Sequence, residues 1–168
     1  MVLEVAQAAA TLLKDHFVEN SNCTVCKRSD LAQITLVVDL ELKSQGLNGG
    51  STVACVLFRH QTSSLLFANA GASRIILSKS GKVYRLSETH NITNDKEIDR
   101  VKSTPGEFIR NNRVYGTHQV ARGLGGVKYH LKGYIIAGPY KNESSIEELD
   151  EFLIIGSDRV SNISDTIL

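Results

Sequence analysis

The sequence predicts an α+β fold in which helices come first and an antiparallel meander of strands follows. Three observations carry that expectation. Apolar residues recur at three-to-four spacing from Val2 to Val18 and again from Leu31 to Lys43, the period of helices buried on one face. From Val53 the pattern changes to short apolar runs: Val53 to Phe58, Leu65 to Ala70 and Ile75 to Leu77. Turn residues punctuate them, Gly49-Gly50-Ser51-Thr52 before the first and Gly71-Ala72-Ser73 before the last, with a polar break from Arg59 to Ser64 between. Gly71 suits its tight turn because glycine accepts backbone angles closed to other residues.

Each element has a local reason. The first helix is rich in alanine and leucine, both good helix formers, and Leu3, Ala6, Ala10, Leu13 and Phe17 are its expected packing face. His16, near its end, reads as a solvated or capping residue. Asn20 to Ser29 is a polar loop carrying Cys23 and Cys26. A structural zinc site takes four ligands, and the remaining cysteine, Cys55, lies inside a predicted strand. A redox pair would open a helix in a βαβ unit, so Cys23 and Cys26 read as incidental loop cysteines.

Ser29-Asp30 is the expected cap of the second helix, whose apolar face is Leu31, Ile34, Val38 and Leu42 and which ends in the Gly46 to Gly50 loop. Beyond the central runs, Gly81-Lys82 turns into a strand from Val83 to Leu86. Asn94 to Lys102 is a helix capped at Thr93 or Asn94, with Glu97 and Arg100 on one face at i, i+3. Pro105-Gly106, Glu107 to Arg110, Asn111-Asn112 and Arg113-Val114 spell a turn and a short hairpin. The unbroken apolar run Phe152 to Ile155 reads as a buried strand, and Ser164 as the cap of a last helix starting at Asp165.

At 168 residues the chain is expected to form one domain, 1–168. A formal charge of +1 makes no electrostatic case for nucleic acid or an anionic membrane as partner. No segment reaches the roughly 18 consecutive apolar residues of a membrane span, and the N-terminus lacks the pattern of a secretion signal. Three cysteines, an odd number, argue against a disulfide framework, so a cytoplasmic or nuclear setting is expected. There the formal glycosylation acceptors Asn91-Ile92-Thr93 and Asn142-Glu143-Ser144 carry no meaning. His16, His60, His90, His118 and His130 are scattered without zinc-ligand spacing. No G-x-S-x-G elbow is present. Gly123-Leu124-Gly125-Gly126 lacks the Lys-Ser/Thr that completes a phosphate loop.

Four segments stand in register with a known pattern. They are Gly50-Ser51-Thr52 before a strand, Ala68-Asn69-Ala70-Gly71-Ala72-Ser73-Arg74, the stretch Arg113 to Gly126, and Asp150 to Val160. Together they resemble the protein phosphatase 2C family of metal-dependent Ser/Thr phosphatases. That family writes them G-S-T-A, A-N-V-G-D-S-R, R-V-x-G-x-L-A-V-S-R-A-x-G-D and D-E-F-L-[IV]-L-A-[ST]-D-G-[LV]. Glu97, Arg100 and Val101 match its E-x-x-R-[IV] segment. The resemblance implies a two-layered β-sandwich of mainly antiparallel strands flanked by helices. It would be incomplete at both ends, since the family's D-G-H-G-G and D-N-x-T segments have no counterpart.

The departures fall on chemistry. The family's acidic positions are Ala72 and Gly126 here, its Leu-Ala pair is His118-Gln119, the Gly after its late Asp is Arg159, and its Trp-Asp is Ser161-Asn162. In the family, two carboxylate-bridged divalent ions activate a water that attacks phosphate in line. Hard cations such as magnesium or manganese take several oxygen ligands, and Asp158 is the only surviving candidate metal ligand. Arg159 either pairs with Asp158 or points to solvent. No catalytic residue is assigned.

The expectation is therefore a pseudophosphatase, catalytically inactive and acting as a binding or regulatory module in signalling. It would need no cofactor, with magnesium or manganese taken up only if activity is retained. The alternative is a metal-dependent protein serine/threonine phosphatase, hydrolysing phosphoproteins with a magnesium- or manganese-activated water. A stable domain without retained function is the blandest reading. The expected partner is another protein, or a second copy, because absent core strands would leave sheet edges and apolar faces open.

Overall fold

The computed structural model describes residues 2–19, 27–105, 109–125, 130 and 133–158. Cys23, Cys26, Glu107, Gly126, Arg159 and the helix expected from Asp165 lie outside the described residues. Helices α1 (Val2–Glu19) and α2 (Arg28–Ser44) precede the strands β1 (Gly50–Ser51), β2 (Val53–Arg59), β3 (Ser64–Ala70), β4 (Arg74–Lys79) and β5 (Lys82–Arg85). Helix α3 (Asp95–Ser103) follows, then β6 (Ile109–Arg110), β7 (Arg113–Val114), β8 (Leu124–Gly125), β9 (Tyr140–Ser145) and β10 (Asp150–Gly156).

The face expected of α2 is the face it buries: Leu31, Ile34, Val38 and Leu42, joined by Thr35 and Asp39. The helix begins before Ser29, however, with Lys27 as the cap position. Asp30 reaches back from the first turn, its carboxylate accepting from the Lys27 amide at 2.7 Å and satisfying a donor the helix itself leaves open. In α1 the expected face packs at its C-terminal end, through Leu13 and Phe17, but not at its start. Val5 and Ala9 are buried, with Leu12, Leu13 and Phe17 beside them, while Leu3 is 70% exposed. Leucine at position 3 is more apolar than alanine at position 9, yet the small residues allow α1 close to α2. His16, in the last turn of α1 and half-buried, also reaches across to α2, its Nε2 2.8 Å from Glu41 Oε1.

The strands form two three-stranded sheets and two small pairs. One sheet runs β2-β3-β9 and the other β10-β4-β5, all antiparallel. The expected meander therefore breaks at one point. β2 and β3 pair as adjacent strands, Val53 opposite Ala70 through Arg59 opposite Ser64. β3 then takes β9 on its other edge, and β4 crosses through the Gly71-Ala72-Ser73 turn into the second sheet. A turn between consecutive strands looks the same in sequence whether it folds back in one sheet or passes to the next.

β3 is consequently buried along its whole length. Leu66 and Ala68 pack with Leu31 of α2, and Cys55 and Leu57 adjoin them. The opposite face places Leu65 and Phe67 against Ile75 between the sheets, with Leu153 at the margin. The Cys55 thiol donates to the Ala68 carbonyl at 3.6 Å.

β10 does not meet the expectation of burial. It pairs with β4, Leu153 opposite Leu77 and Ile154 opposite Ile76, but Phe152 is 58% exposed and Ile154 and Ile155 are also exposed. The register puts Phe152, Ile154 and Val83 on the face opposite Leu153 and Ile75. Among the described residues β10 is an edge strand, so its apolar run lacks neighbours on one side.

The later elements follow their local signals. Asn94 caps α3, its side-chain oxygen accepting from the Lys96 amide at 3.1 Å. Asn111 and Asn112, at φ 52° and 54°, join β6 to β7 as the two left-handed residues of a tight hairpin.

Candidate functional site

The site grows from the turn that changes sheets. Gly71 sits at φ 106°, and a Cβ there would lie 2.3 Å from Thr52 Cγ2 and 3.0 Å from the Arg122 carbonyl, so only glycine fits. This close approach brings the end of β1 against the turn, and Thr52 Oγ1 lies 2.7 Å from Ser73 Oγ. The segment after β7 folds back on itself, Val114 donating to the His118 carbonyl at 2.8 Å, and carries His118 and Gln119 to the same place. Asp158 arrives from just beyond β10.

These residues line one cavity of about 280 Å³: Thr52, Ala72, Ser73, Arg113, Thr117, His118, Gln119, Val120 and Asp158. A second, of about 310 Å³, adjoins it through Ala72, Gln119, Val120 and Asp158 and adds Arg74 and Asn91. The structure thus brings Ala72 and Asp158 together, as the motif positions imply. It also assembles groups that were not singled out as site residues: Arg74, Arg113 and the hydroxyl pair of Thr52 and Ser73. Arg113 uses one guanidinium donor on the Thr117 carbonyl, at 2.9 Å. Burial lowers the pKa of His118, which favours its neutral form.

As a metal centre this donor set falls short. Among the described residues Asp158 is the one carboxylate lining either cavity, with Arg113 beside it in the first and Arg74 in the second. Among the described residues no three His, Cys, Asp or Glu side chains converge as metal ligands. A pair of dications takes several anionic oxygens, and the residues here do not fit that requirement.

Two buried polar networks support the cavity from behind. Glu97 of α3, 1% exposed, accepts from Arg122 Nε at 2.8 Å and from Arg100 Nε at 3.1 Å. Arg100 also donates to the Ala121 and Tyr134 carbonyls, and Arg122 to that of Gly138. Burial pushes the Glu97 carboxyl up, but the two guanidinium groups outweigh it and hold the carboxyl below its ordinary range. His90 is buried next to this knot, its backbone amide donating to the Gly71 carbonyl at 3.0 Å. Burial, reinforced by the Arg122 charge, lowers the pKa of its imidazole.

The second network is centred on Asp39 of α2. Its Oδ1 accepts from the Gly125 amide at 3.0 Å and lies 2.8 Å from His130 Nε2, while Oδ2 accepts from Lys43 at 2.6 Å. Burial raises this carboxyl, yet the bonds from His130, Lys43 and Gly125 prevail and lower it. Asp39 thereby ties α2 to β8, whose Ser51–Leu124 pairing with β1 leads directly to Thr52. One signal for Asp39 was available in the sequence: an acidic residue adjoining Val38 on the apolar stripe of α2.

A family model described as Protein phosphatase 2C matches residues 4–166. The chain belongs to the protein phosphatase 2C family. Among its relatives, the Arabidopsis thaliana protein named Probable protein phosphatase 2C 2 is 37% identical over 135 residues, which is 76% of this chain and 34% of the relative. Protein phosphatase 2C homolog 1 of Schizosaccharomyces pombe is 38% identical over 114 residues, 65% of this chain and 32% of the relative. This chain therefore spans about a third of the length of these curated relatives.

Solved structures agree on the fold. A Caenorhabditis elegans sex determining protein superposes with a TM-score of 0.83 at 22% identity, covering 94% of this chain and 40% of that one. A serine-threonine phosphatase 2C from Toxoplasma gondii gives 0.67 at 16% identity, covering 81% and 51%. The protein phosphatase 2C family is metal-dependent.

Proposed function

We propose that this protein phosphatase 2C domain is a pseudophosphatase, a binding or regulatory module in signalling that hydrolyses no phosphoprotein and takes up no metal cofactor. One observation supports the reading above the others. Where the family gathers carboxylates, Ala72 and Asp158 line two adjoining cavities, one with Arg113 and the other with Arg74. A dication there would meet a guanidinium on the same wall as the carboxylate, and its affinity should collapse. Asp158 is the sole metal-ligand candidate in this reading.

The deciding experiment is a manganese titration by calorimetry with Asp158→Ala as control, followed by a phosphopeptide hydrolysis assay. No heat at millimolar manganese and no phosphate release are expected. Micromolar binding that disappears in Asp158→Ala would overturn the reading. It would favour the alternative, a metal-dependent protein serine/threonine phosphatase, which draws support from the 37% identity to the relative named Probable protein phosphatase 2C 2.

The proposal extends to setting and partner. A cytoplasmic or nuclear protein is supported by the odd cysteine count and the near-neutral charge of +1, and among the described residues no helix is long and apolar enough to cross a membrane. The partner would be another protein or a second copy, supported by the exposed Phe152, Ile154 and Ile155 along β10.

A further inference from the structure

We propose that the cavity beside Ala72 binds an oxyanion directly, with no metal between protein and ligand, so that the charge preference of the family's cation site is inverted in this chain. The inference rests on the pseudophosphatase reading and names the ligand chemistry of that same cavity.

Charge comes first. The joined cavities are lined by Arg74 and Arg113 and, among the described residues, by a single carboxylate, Asp158. His118 adds no charge to them, since burial favours its uncharged form. Arg113 is the cation on which the inference rests, its guanidinium donating to the carbonyl of Thr117 on the same cavity wall.

Donors come second. A guanidinium carries five N–H donors, and Arg113 spends one of them on the Thr117 carbonyl. The hydroxyls of Thr52 and Ser73, 2.7 Å apart, share one hydrogen between them, and both residues line the cavity. The Gln119 amide lines both spaces. Guanidinium, hydroxyl and amide donors around a space of about 280 Å³ suit an oxygen-rich anion. Ala72 is the permissive change, because an aspartate there would add a negative charge and fill part of the room.

The oxyanion could be free in solution or carried on a peptide side chain, and two arms of one experiment separate these sources. Inorganic phosphate is titrated into the purified chain in the presence of a chelator, followed by nuclear magnetic resonance. A phosphoserine peptide and its unphosphorylated counterpart form the second arm. Saturable millimolar binding of phosphate is expected, weakened roughly tenfold or more by Arg113→Gln, the usual consequence of losing a charge-assisted hydrogen bond. Arg113→Lys should retain part of the binding, which distinguishes lost charge from a disturbed fold.

Asp158→Asn supplies the sharpest contrast. It should tighten phosphate binding several-fold by removing a repelling charge, whereas a metal-mediated site would be weakened by the same change. Tighter binding of the phosphopeptide than of phosphate identifies a side-chain source, and equal affinity identifies the free ion. Absence of binding at tens of millimolar phosphate, or binding indifferent to Arg113→Gln, overturns the proposal. Those results leave the pseudophosphatase reading standing, since the manganese titration decides it separately.

Discussion

β3 and β10 are both strands of seven residues, and both are largely apolar. Every residue of β3 is buried, whereas the residues of β10 are all half-buried or exposed. The difference lies in their neighbours. β3 has a strand on each edge, helix α2 over one face and the second sheet over the other. β10 has β4 on one edge and contributes Leu153 to the inter-sheet core. A strand's burial is thus decided by what surrounds it, and an apolar run states only what it can tolerate.

The largest expected effect tests the covered strand. Leu66→Ala should cost about 2–5 kcal/mol, the range for truncating a buried leucine that the surroundings cannot refill. Chemical denaturation would measure it, and a loss below about 1 kcal/mol would mean that the α2 side of β3 is loosely packed.

Next comes the clamp that holds α2 over that strand. In the folded protein the bonds from His130, Lys43 and the Gly125 amide hold the Asp39 carboxyl below its ordinary value. Its contribution to stability is therefore present above the unfolded value and lost as pH falls through the folded one. Asp39→Asn should flatten the acid limb of a stability-versus-pH curve, and should lower stability at neutral pH by roughly 1–3 kcal/mol through the weakened bonds to Lys43 and His130. Identical acid limbs in variant and parent would place the acid sensitivity elsewhere, Glu97 being the next carboxyl depressed by its partners.

The smallest expected effect falls on the uncovered strand. Phe152→Ser should change stability by no more than about 0.5 kcal/mol while shifting sedimentation toward smaller species, if the β10 face mediates self-association. A loss as large as that of Leu66→Ala would show that β10 is covered in solution and would erase the contrast between the two strands.

Local features of this fold were legible in the sequence, and pairwise features across long separations were not. The stripe Leu31, Ile34, Val38, Leu42 could be read because helical periodicity is a property of neighbouring residues. The packing at the start of α1 could not, since Leu3 and Val5 lie on stripes of similar apolarity and only the approach of α2 chooses between them. The motifs marked Ala72 and Asp158 as positions of interest, and both line the same cavity. Nothing in the sequence announced that Asp39 would meet His130, 91 residues away. The Glu97 and Arg100 pair was visible at i, i+3, but Arg122, which completes the knot, reaches Glu97 from 25 residues away.

Cys55 gives the seam between β2 and β3 a clock. Its side chain lies in β2 against the Ala68 carbonyl, and burial pushes its thiol up to about 11. Thiol reagents attack the thiolate, so in the closed sheet the reaction is slowed. When β2 separates from β3 the thiol regains ordinary reactivity, and each modification of Cys55, located by mass, marks one opening of that seam. The rate of such events would time the coming and going of the strand itself.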